Sequence, residues 1–399
     1  MSGRRPVHTV YGGAQLFKAG TISNLGVRAL KTLATHAPNA DSLGVSEEVY
    51  RRVVAKLYRE PVEDFRIDFE DGYGHRPDAE EDGHAVSAAA DLALGSRTPF
   101  IGIRIKGLTE ASRPRSIRTL DIFMNTLLSA TGGRLPEGFA VTLPKVTLPE
   151  QVCELAELLK AIELEHDLAI GAIEMELMIE TTQSIIDRQG RFAIPALLDA
   201  SAGRCRSLHF GVYDYTAECN ITAEYQNMSH PACDFARNVM QVCAADRGVT
   251  ISDGATNILP VGSDPVAIRH AMQLHFNDVR RSLSNGIYQG WDLHPAQLPT
   301  RYAAVFAFFL DSLPSATARL RNFIGRAAQA TLDGNVFDDA ASGQGLLNFF
   351  LRGYNCGALT EEEALGAGLT MEELRGRSFV TILDNRLAMA RPSGPPPAP

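Results

Sequence analysis

Residues 173–181 read IEMELMIET, and residues 208–215 read LHFGVYDY. Each is an apolar run halted by a carboxylate, Glu180 in the first and Asp214 in the second. Runs rich in β-branched and aromatic residues that break off into polar loop signals read as buried strands. The same trait recurs in FRIDFED (65–71), FIGIRIKG (100–107), FAVTLPK (139–145), VTISDG (249–254) and YQGWDLHP (288–295). With Asp68, Arg104, Lys145, Glu180, Asp214, Asp253 and Asp292 as markers, successive steps are 36, 41, 35, 34, 39 and 39 residues. A near-constant step of that size is the signature of a repeated strand–helix unit.

The stretches between the runs carry helical periodicity. PEQVCELAELLKAIELEH (149–166) sets Val152, Leu155, Leu158, Leu159 and Ile162 on one face, and CDFARNVMQVCAADRG (233–248) ends on a glycine stop. HTVYGGAQLF (8–17) supplies an eighth strand, separated from the next by a longer helical connection. Eight units in series predict an α/β fold, a (β/α)8 TIM barrel, with an open doubly wound sheet as the alternative. The barrel is preferred because polar residues recur at the carboxyl end of nearly every strand, the face on which barrel active sites are built. The pattern changes after residue 310. The expected organisation is a barrel domain over 1–310, a small C-terminal helical region over 311–390 able to fold over the barrel mouth, and a disordered Pro-rich tail, RPSGPPPAP, over 391–399. TEEEA (360–364) reads as a helix start, with Thr360 as cap.

Composition narrows the function classes. The chain is 45% hydrophobic and 21% charged, as soluble globular proteins are. A net charge of −9 without any basic block argues against nucleic acid. Six cysteines show neither a CxxC pair nor finger spacing, which fits a reducing, cytoplasmic setting. No apolar run follows the arginines of MSGRRPVHTVYGG, so no secretory signal is expected, and AAVFAFFL (303–310) is too short to span a bilayer.

The strand ends hold the candidate chemistry. Glu180 and Asp214 are hard oxygen donors that, with water and a chelating substrate, suit Mg2+ or Mn2+; pairing with an arginine or capping a helix is the competing reading. Arg104 and Lys145 are cations at neighbouring strand ends, suited to an anionic substrate or to ion pairing with Glu70 or Asp71. DFED (68–71) gathers Asp68, Glu70 and Asp71, acids that repel one another unless a cation compensates and that could orient Arg104. His294, just before a proline, reads as a structural hydrogen-bonder or a proton carrier.

FEDG, IRIKG, LPKV, MIET, FGVYDY, ARNVMQVCAADRGVTISDG and GWDLHPAQ occur in the order of the motifs of the HpcH/HpaI aldolase and citrate lyase beta-subunit-like superfamily, which the chain resembles from about residue 65 to 300. It is also similar to malate synthase, which shares that barrel. The resemblance implies Mg2+ on Glu180 and Asp214 and a substrate-contacting role for Arg104; from their own chemistry Lys145, Glu70 and Asp71 are expected beside the substrate. VFDDAAS (336–342) is similar to the malate synthase MEDAAT segment, which implies that Asp339 is a catalytic acid or base. Two stretches depart from the pattern. TVYGGAQLF stands where citrate lyase-like proteins carry an R-S-x-L-F-x-P-G strand, and IRIKGL lacks the Pro and Trp of the malate synthase R-P-R-G-W.

The expected protein is therefore a metal-dependent carbon–carbon lyase or aldolase. It would act on a 2-oxo acid or a β-hydroxyacyl substrate, a CoA thioester among the options, through a metal-stabilised enolate. A malate synthase-like condensation of acetyl-CoA with a 2-oxo acid is the second reading, and a non-catalytic binding barrel the third. Partners are a small-molecule substrate and, by resemblance, further copies of the chain; neither nucleic acid nor membrane is expected.

Overall fold

Eight short strands carry the architecture: β1 (His8–Gly13), β2 (Asp64–Asp68), β3 (Phe100–Arg104), β4 (Phe139–Leu143), β5 (Glu174–Ile179), β6 (Cys205–Phe210), β7 (Thr250–Ala255) and β8 (Gln289–Asp292). In the computed structural model they pair in parallel, in chain order, and close into a barrel in which β8 returns to β1. The structure describes residues 4–95, 98–325, 331–333, 336–338, 340–376 and 378–390. The closed ring disposes of the open-sheet alternative. Helices such as Pro149–Glu165 and Pro231–Ala244 follow the strands, as the periodicity predicts.

One predicted strand end is corrected. β6 stops at Phe210, and Val212–Glu218 is a helix, so Asp214 lies in a helical first turn. The Gly211 N–H closes the last ladder bond to Ile179 O at 3.0 Å, after which the chain turns. A run of apolar residues cannot by itself tell a buried strand from a buried helical turn.

Strand pairing is tightest at Gly102 on β3. A Cβ there would sit 2.0 Å from the Ala140 carbonyl oxygen on β4, so only glycine fits. The β1–β8 seam is locked by Asp292, whose fully buried carboxylate accepts from His8 Nδ1 at 2.7 Å, His275 Nε2 at 3.0 Å and Arg301 Nη2 at 2.9 Å. His8 Nε2 accepts the Glu63 N–H at 3.0 Å, which puts the His8 proton on Nδ1, toward Asp292. Burial opposes the Asp292 charge, but Arg301 and the two histidines outweigh it and hold the carboxyl well below its ordinary range.

Barrel interiors are usually layered with branched apolar side chains. Here fully buried Arg66 bonds Glu176 (Nη2 2.6 Å, Nε 2.9 Å), Thr142 Oγ1 (3.1 Å) and Asp64, and Arg206 Nε reaches Glu176 at 2.9 Å. Burial works against the Glu176 charge, yet Arg66, His209 and Arg206 hold its carboxyl well below the usual range. Such a network is tolerable inside only because its charges are paired.

The chain divides into two compact units. The barrel unit comprises Pro6–Gly44 and Val53–Ala304; the second comprises Met1–Arg5, Val45–Arg52 and Val305–Pro399. Within the second unit, Phe323 stacks on Phe379 at 5.3 Å and Phe309 meets Phe349 at 5.2 Å. Arg52 pairs through two hydrogen bonds with Glu363, and Thr360 caps the helix Glu361–Leu365 as the sequence predicts. Among the described residues, no helix is long and apolar enough to cross a membrane.

Candidate functional site

All the described candidates lie at the carboxyl ends of consecutive strands of the barrel unit, and their polar groups meet around one ammonium. Lys145 Nζ is 2.6 Å from Asp214 Oδ2, 3.6 Å from Glu180 Oε2, 3.4 Å from Asp71 Oδ2 and 3.8 Å from Glu70 Oε1. Lys145 reaches this point from a left-handed backbone conformation, φ 53°, two residues past β4. A lysine rarely adopts that conformation, and residues held there cluster at functional sites. Its own backbone N–H donates to Glu180 Oε1 at 2.7 Å, so one residue grips the acid by both main chain and side chain.

Glu180 follows β5 directly and is 1% exposed, whereas Asp214, on its helical turn, is 46% exposed. The Glu180 carboxyl needs the bare backbone of Gly211 beside it, since a Cβ at Gly211 would stand 2.4 Å from Glu180 Cβ and 2.7 Å from Oε2. Burial pushes the Glu180 carboxyl up to about 8; Lys145 opposes the rise and Asp214 adds to it. Glu70 is likewise pushed up, to about 7, by burial, with Arg104 opposing and Asp71 adding.

Arg104, the last residue of β3, is committed to Asp68: Nε donates to Oδ1 at 2.7 Å and Nη2 to Oδ2 at 2.6 Å. Asp68 is held in turn by the N–H groups of Glu70 (3.0 Å) and Gly72 (2.7 Å). This two-point grip fixes the guanidinium plane and leaves Nη1 facing Glu70, at 3.2 Å, and Met178 Sδ, at 3.5 Å. Both cations are therefore ion-paired, Arg104 with Asp68 and Glu70 and Lys145 with the four acids around it. Asp339 lies outside the described residues. His294 caps the turn Pro295–Gln297, its Nδ1 accepting the Ala296 N–H at 3.1 Å, which is the structural role.

Sequence reasoning missed an aromatic pair beside Arg104. Tyr11 of β1 and Trp291 of β8 lie with ring centroids 4.5 Å apart, and the Arg104 guanidinium stands 4.8 Å from the first ring and 5.8 Å from the second. Period-two alternation along β1 puts Tyr11 on the same side as Thr9, the one sequence signal available, but it says nothing of which strand lies opposite.

The donor chemistry fits a hard divalent cation. Glu180 and Asp214 present oxygen to a common point, which the Lys145 ammonium takes up in this arrangement. Among the described residues no three His, Cys, Asp or Glu side chains form a ready metal cage. An ion held here would draw its other ligands from water and substrate, as Mg2+ commonly does.

The fold is a (β/α)8 barrel with a polar cluster at the carboxyl ends of its strands. The chain belongs to the DUF6986 family, described as a domain of unknown function, whose model matches residues 1–382. No curated protein matches it in sequence. Among solved structures it is similar to a citrate lyase from Burkholderia xenovorans LB400, with TM-score 0.62 and 20% identity over 92% of this chain and 97% of that one. It is similar also to the protein CitE of Mycobacterium tuberculosis in complex with magnesium, acetoacetate and coenzyme A (TM-score 0.54, 15% identity, 90% and 100% covered). A third is native malate synthase of Haloferax volcanii at 3 mM glyoxylate (TM-score 0.52, 13% identity, 95% and 98% covered). At these identities the likeness is one of fold.

Proposed function

We propose that this protein is a metal-dependent carbon–carbon lyase or aldolase acting on a 2-oxo acid through an enolate. The observation that carries the reading is the meeting of Glu180, Asp214, Asp71 and Glu70 around the Lys145 ammonium, with Arg104 Nη1 3.2 Å from Glu70. Glu180 and Asp214 would hold Mg2+ or Mn2+, as the magnesium complex of the CitE structure makes reasonable for this fold. When bound, such an ion supplies Lewis acidity to the carboxylate and oxo oxygens of a substrate.

The chain's own residues do the rest. Asp68 orients Arg104, whose Nη1 is the nitrogen left to meet negative charge as it develops on a substrate oxygen. Lys145, freed from Asp214, is the second cation for a substrate carboxylate. Glu70, with its carboxyl near 7, is able to hold or release a proton beside Arg104, and Asp71 helps to tether Lys145. Asp339 is the sequence-based candidate for the acid or base.

A condensation of acetyl-CoA with a 2-oxo acid uses the same groups and is the second reading, favoured by the likeness of VFDDAAS to the malate synthase segment. Thiol release on mixing acetyl-CoA with glyoxylate would single it out.

The test is thermal unfolding with Mg2+, alone and with pyruvate, oxaloacetate, glyoxylate or acetyl-CoA, for wild type and Glu180→Ala. A ligand bound only by the folded state, present at 100 times its Kd, stabilises by about 2.7 kcal/mol. Wild type is expected to gain midpoint with Mg2+ plus a 2-oxo acid, and the variant to lose that gain. A wild type indifferent to every combination would sink the reading.

A further inference from the structure

Resting on that reading, the geometry points to a particular substrate class: we propose that Tyr11 and Trp291 form an apolar wall beside Arg104 that selects a 2-oxo monocarboxylate with an alkyl substituent over a 2-oxo dicarboxylate. The Trp291 indole N–H is spent on His209 Nδ1 at 3.2 Å, across the barrel interior. The Tyr11 hydroxyl is closed off from solvent, although the residue as a whole is only half-buried, so the open part of the residue is not its polar end. Burial also keeps that phenol protonated by raising its pKa far above the ordinary value. With the indole N–H engaged and the phenol hydroxyl closed to solvent, the accessible part of the pair is left to carbon. The rings stand 4.5 Å apart and lie together against the guanidinium expected to meet the substrate, so a substituent on a substrate at Arg104 falls beside them.

Charge makes the same selection independently. Five carboxylates (Asp68, Glu70, Asp71, Glu180 and Asp214) share two cations, Arg104 and Lys145, within ion-pair distance. With a divalent ion the site carries four positive charges against five acids, so none is in excess, and a second substrate carboxylate would add to an uncompensated negative field and face the negative π-surfaces of the wall. An alkyl group in that position instead removes apolar surface from water.

The experiment is calorimetric titration in Mg2+ with glyoxylate, pyruvate, 2-oxobutyrate and freshly dissolved oxaloacetate, using wild type, Trp291→Ala and Trp291→Phe. In wild type, the fluorescence of Trp291, the only tryptophan of the chain, reports the same binding. Affinity is expected to rise about three- to fourfold per added methylene from glyoxylate to 2-oxobutyrate. 2-Oxobutyrate should bind at least about tenfold more tightly than oxaloacetate, in which a carboxylate stands in place of the terminal methyl, the effect of a like charge left uncompensated. Trp291→Ala should flatten the alkyl series, while Trp291→Phe, which keeps an apolar ring, should preserve it. Oxaloacetate binding as tightly as 2-oxobutyrate would overturn the proposal while leaving the metal-dependent reading intact. So would an alkyl preference unchanged in Trp291→Ala. Silence of the wild type toward Mg2+ and every acid would remove both. The wild-type series decides the question even where a variant fails to fold.

Discussion

At the scale of single residues, Lys145 is the one whose removal tells most. Its ammonium is shared by four carboxylates, and it stands where a metal ion would have to bind. Without it the acids repel one another and have no competitor for a divalent ion. Lys145→Met is therefore expected to melt about 1–3 °C lower in metal-free buffer, the size of a 1–2 kcal/mol loss in a chain of this length. It should also show a larger Mg2+-induced rise than wild type. Thermal melts with and without Mg2+ check both halves, and an unchanged metal response would mean that the ammonium and the ion do not compete. Gly211 gives a second probe at this scale. Its missing side chain is the space of the Glu180 carboxyl, so Gly211→Ala should keep the circular dichroism of a folded barrel while losing the Mg2+ response. A retained response would show that Glu180 can hold the ion from another rotamer.

At the scale of elements, the seam between β1 and β8 is where barrel closure is most exposed to chemistry. Asp292 is fully buried between Arg301, His275 and His8, and its folded pKa lies below its unfolded value of about 3.9. The sign follows from linkage. The unfolded chain takes up the proton first as pH falls, so the stabilisation is whole above about pH 4 and is lost progressively below it. Asp292→Asn should cost roughly 3–5 kcal/mol at neutral pH, because it leaves a buried arginine without its partner. It should also flatten the acid limb of the stability curve. Urea unfolding at a series of pH values measures both effects, and an acid limb as steep as that of wild type would assign the acid sensitivity to other carboxylates. At the β3–β4 pair the argument is steric. Gly102→Ala pushes a Cβ to 2.0 Å from the Ala140 oxygen, a backbone atom unable to yield without moving the strand. Strain of that kind typically costs at least about 1–3 kcal/mol.

At the scale of the whole molecule, each compact unit has its own apolar interior. In the second unit Phe350 is fully buried, with Phe349 against it at 5.3 Å, so Phe350→Ala should cost about 3–5 kcal/mol. Amide exchange in the helix Ala340–Asn355 would accelerate accordingly, and unchanged protection there would refute the assignment. The eight strands themselves were legible along the chain, because apolar runs ending in polar loops are a local signal and every strand overlaps one of the runs. Glu180 and Arg104 were legible for the same reason, the first just past a buried strand and the second at the end of one. Asp214 was found as a residue but misjudged as a strand end, since VYDY is apolar enough for either conformation. Tyr11 and Trp291 could not be paired from their own segments, for they are 280 residues apart and meet only because the ring closes. The polar interior around Arg66 and Glu176 was equally hidden, as each residue reads simply as a charge within a strand.

By itself the sequence determined the repeated strand–helix unit, its count and the acids and cations at or soon after most strand ends, because period and composition act over a few residues at a time. Which of those groups face one another depended on strand register and closure of the barrel. Tertiary structure alone decided that Asp68 would grip Arg104, that Lys145 would stand between Glu180 and Asp214, and that two rings from the first and last strands would lie together against the guanidinium. The physical reason is that Coulomb and packing energies depend on distances in space, and only the closed ring brings residues so remote along the chain within a few ångströms.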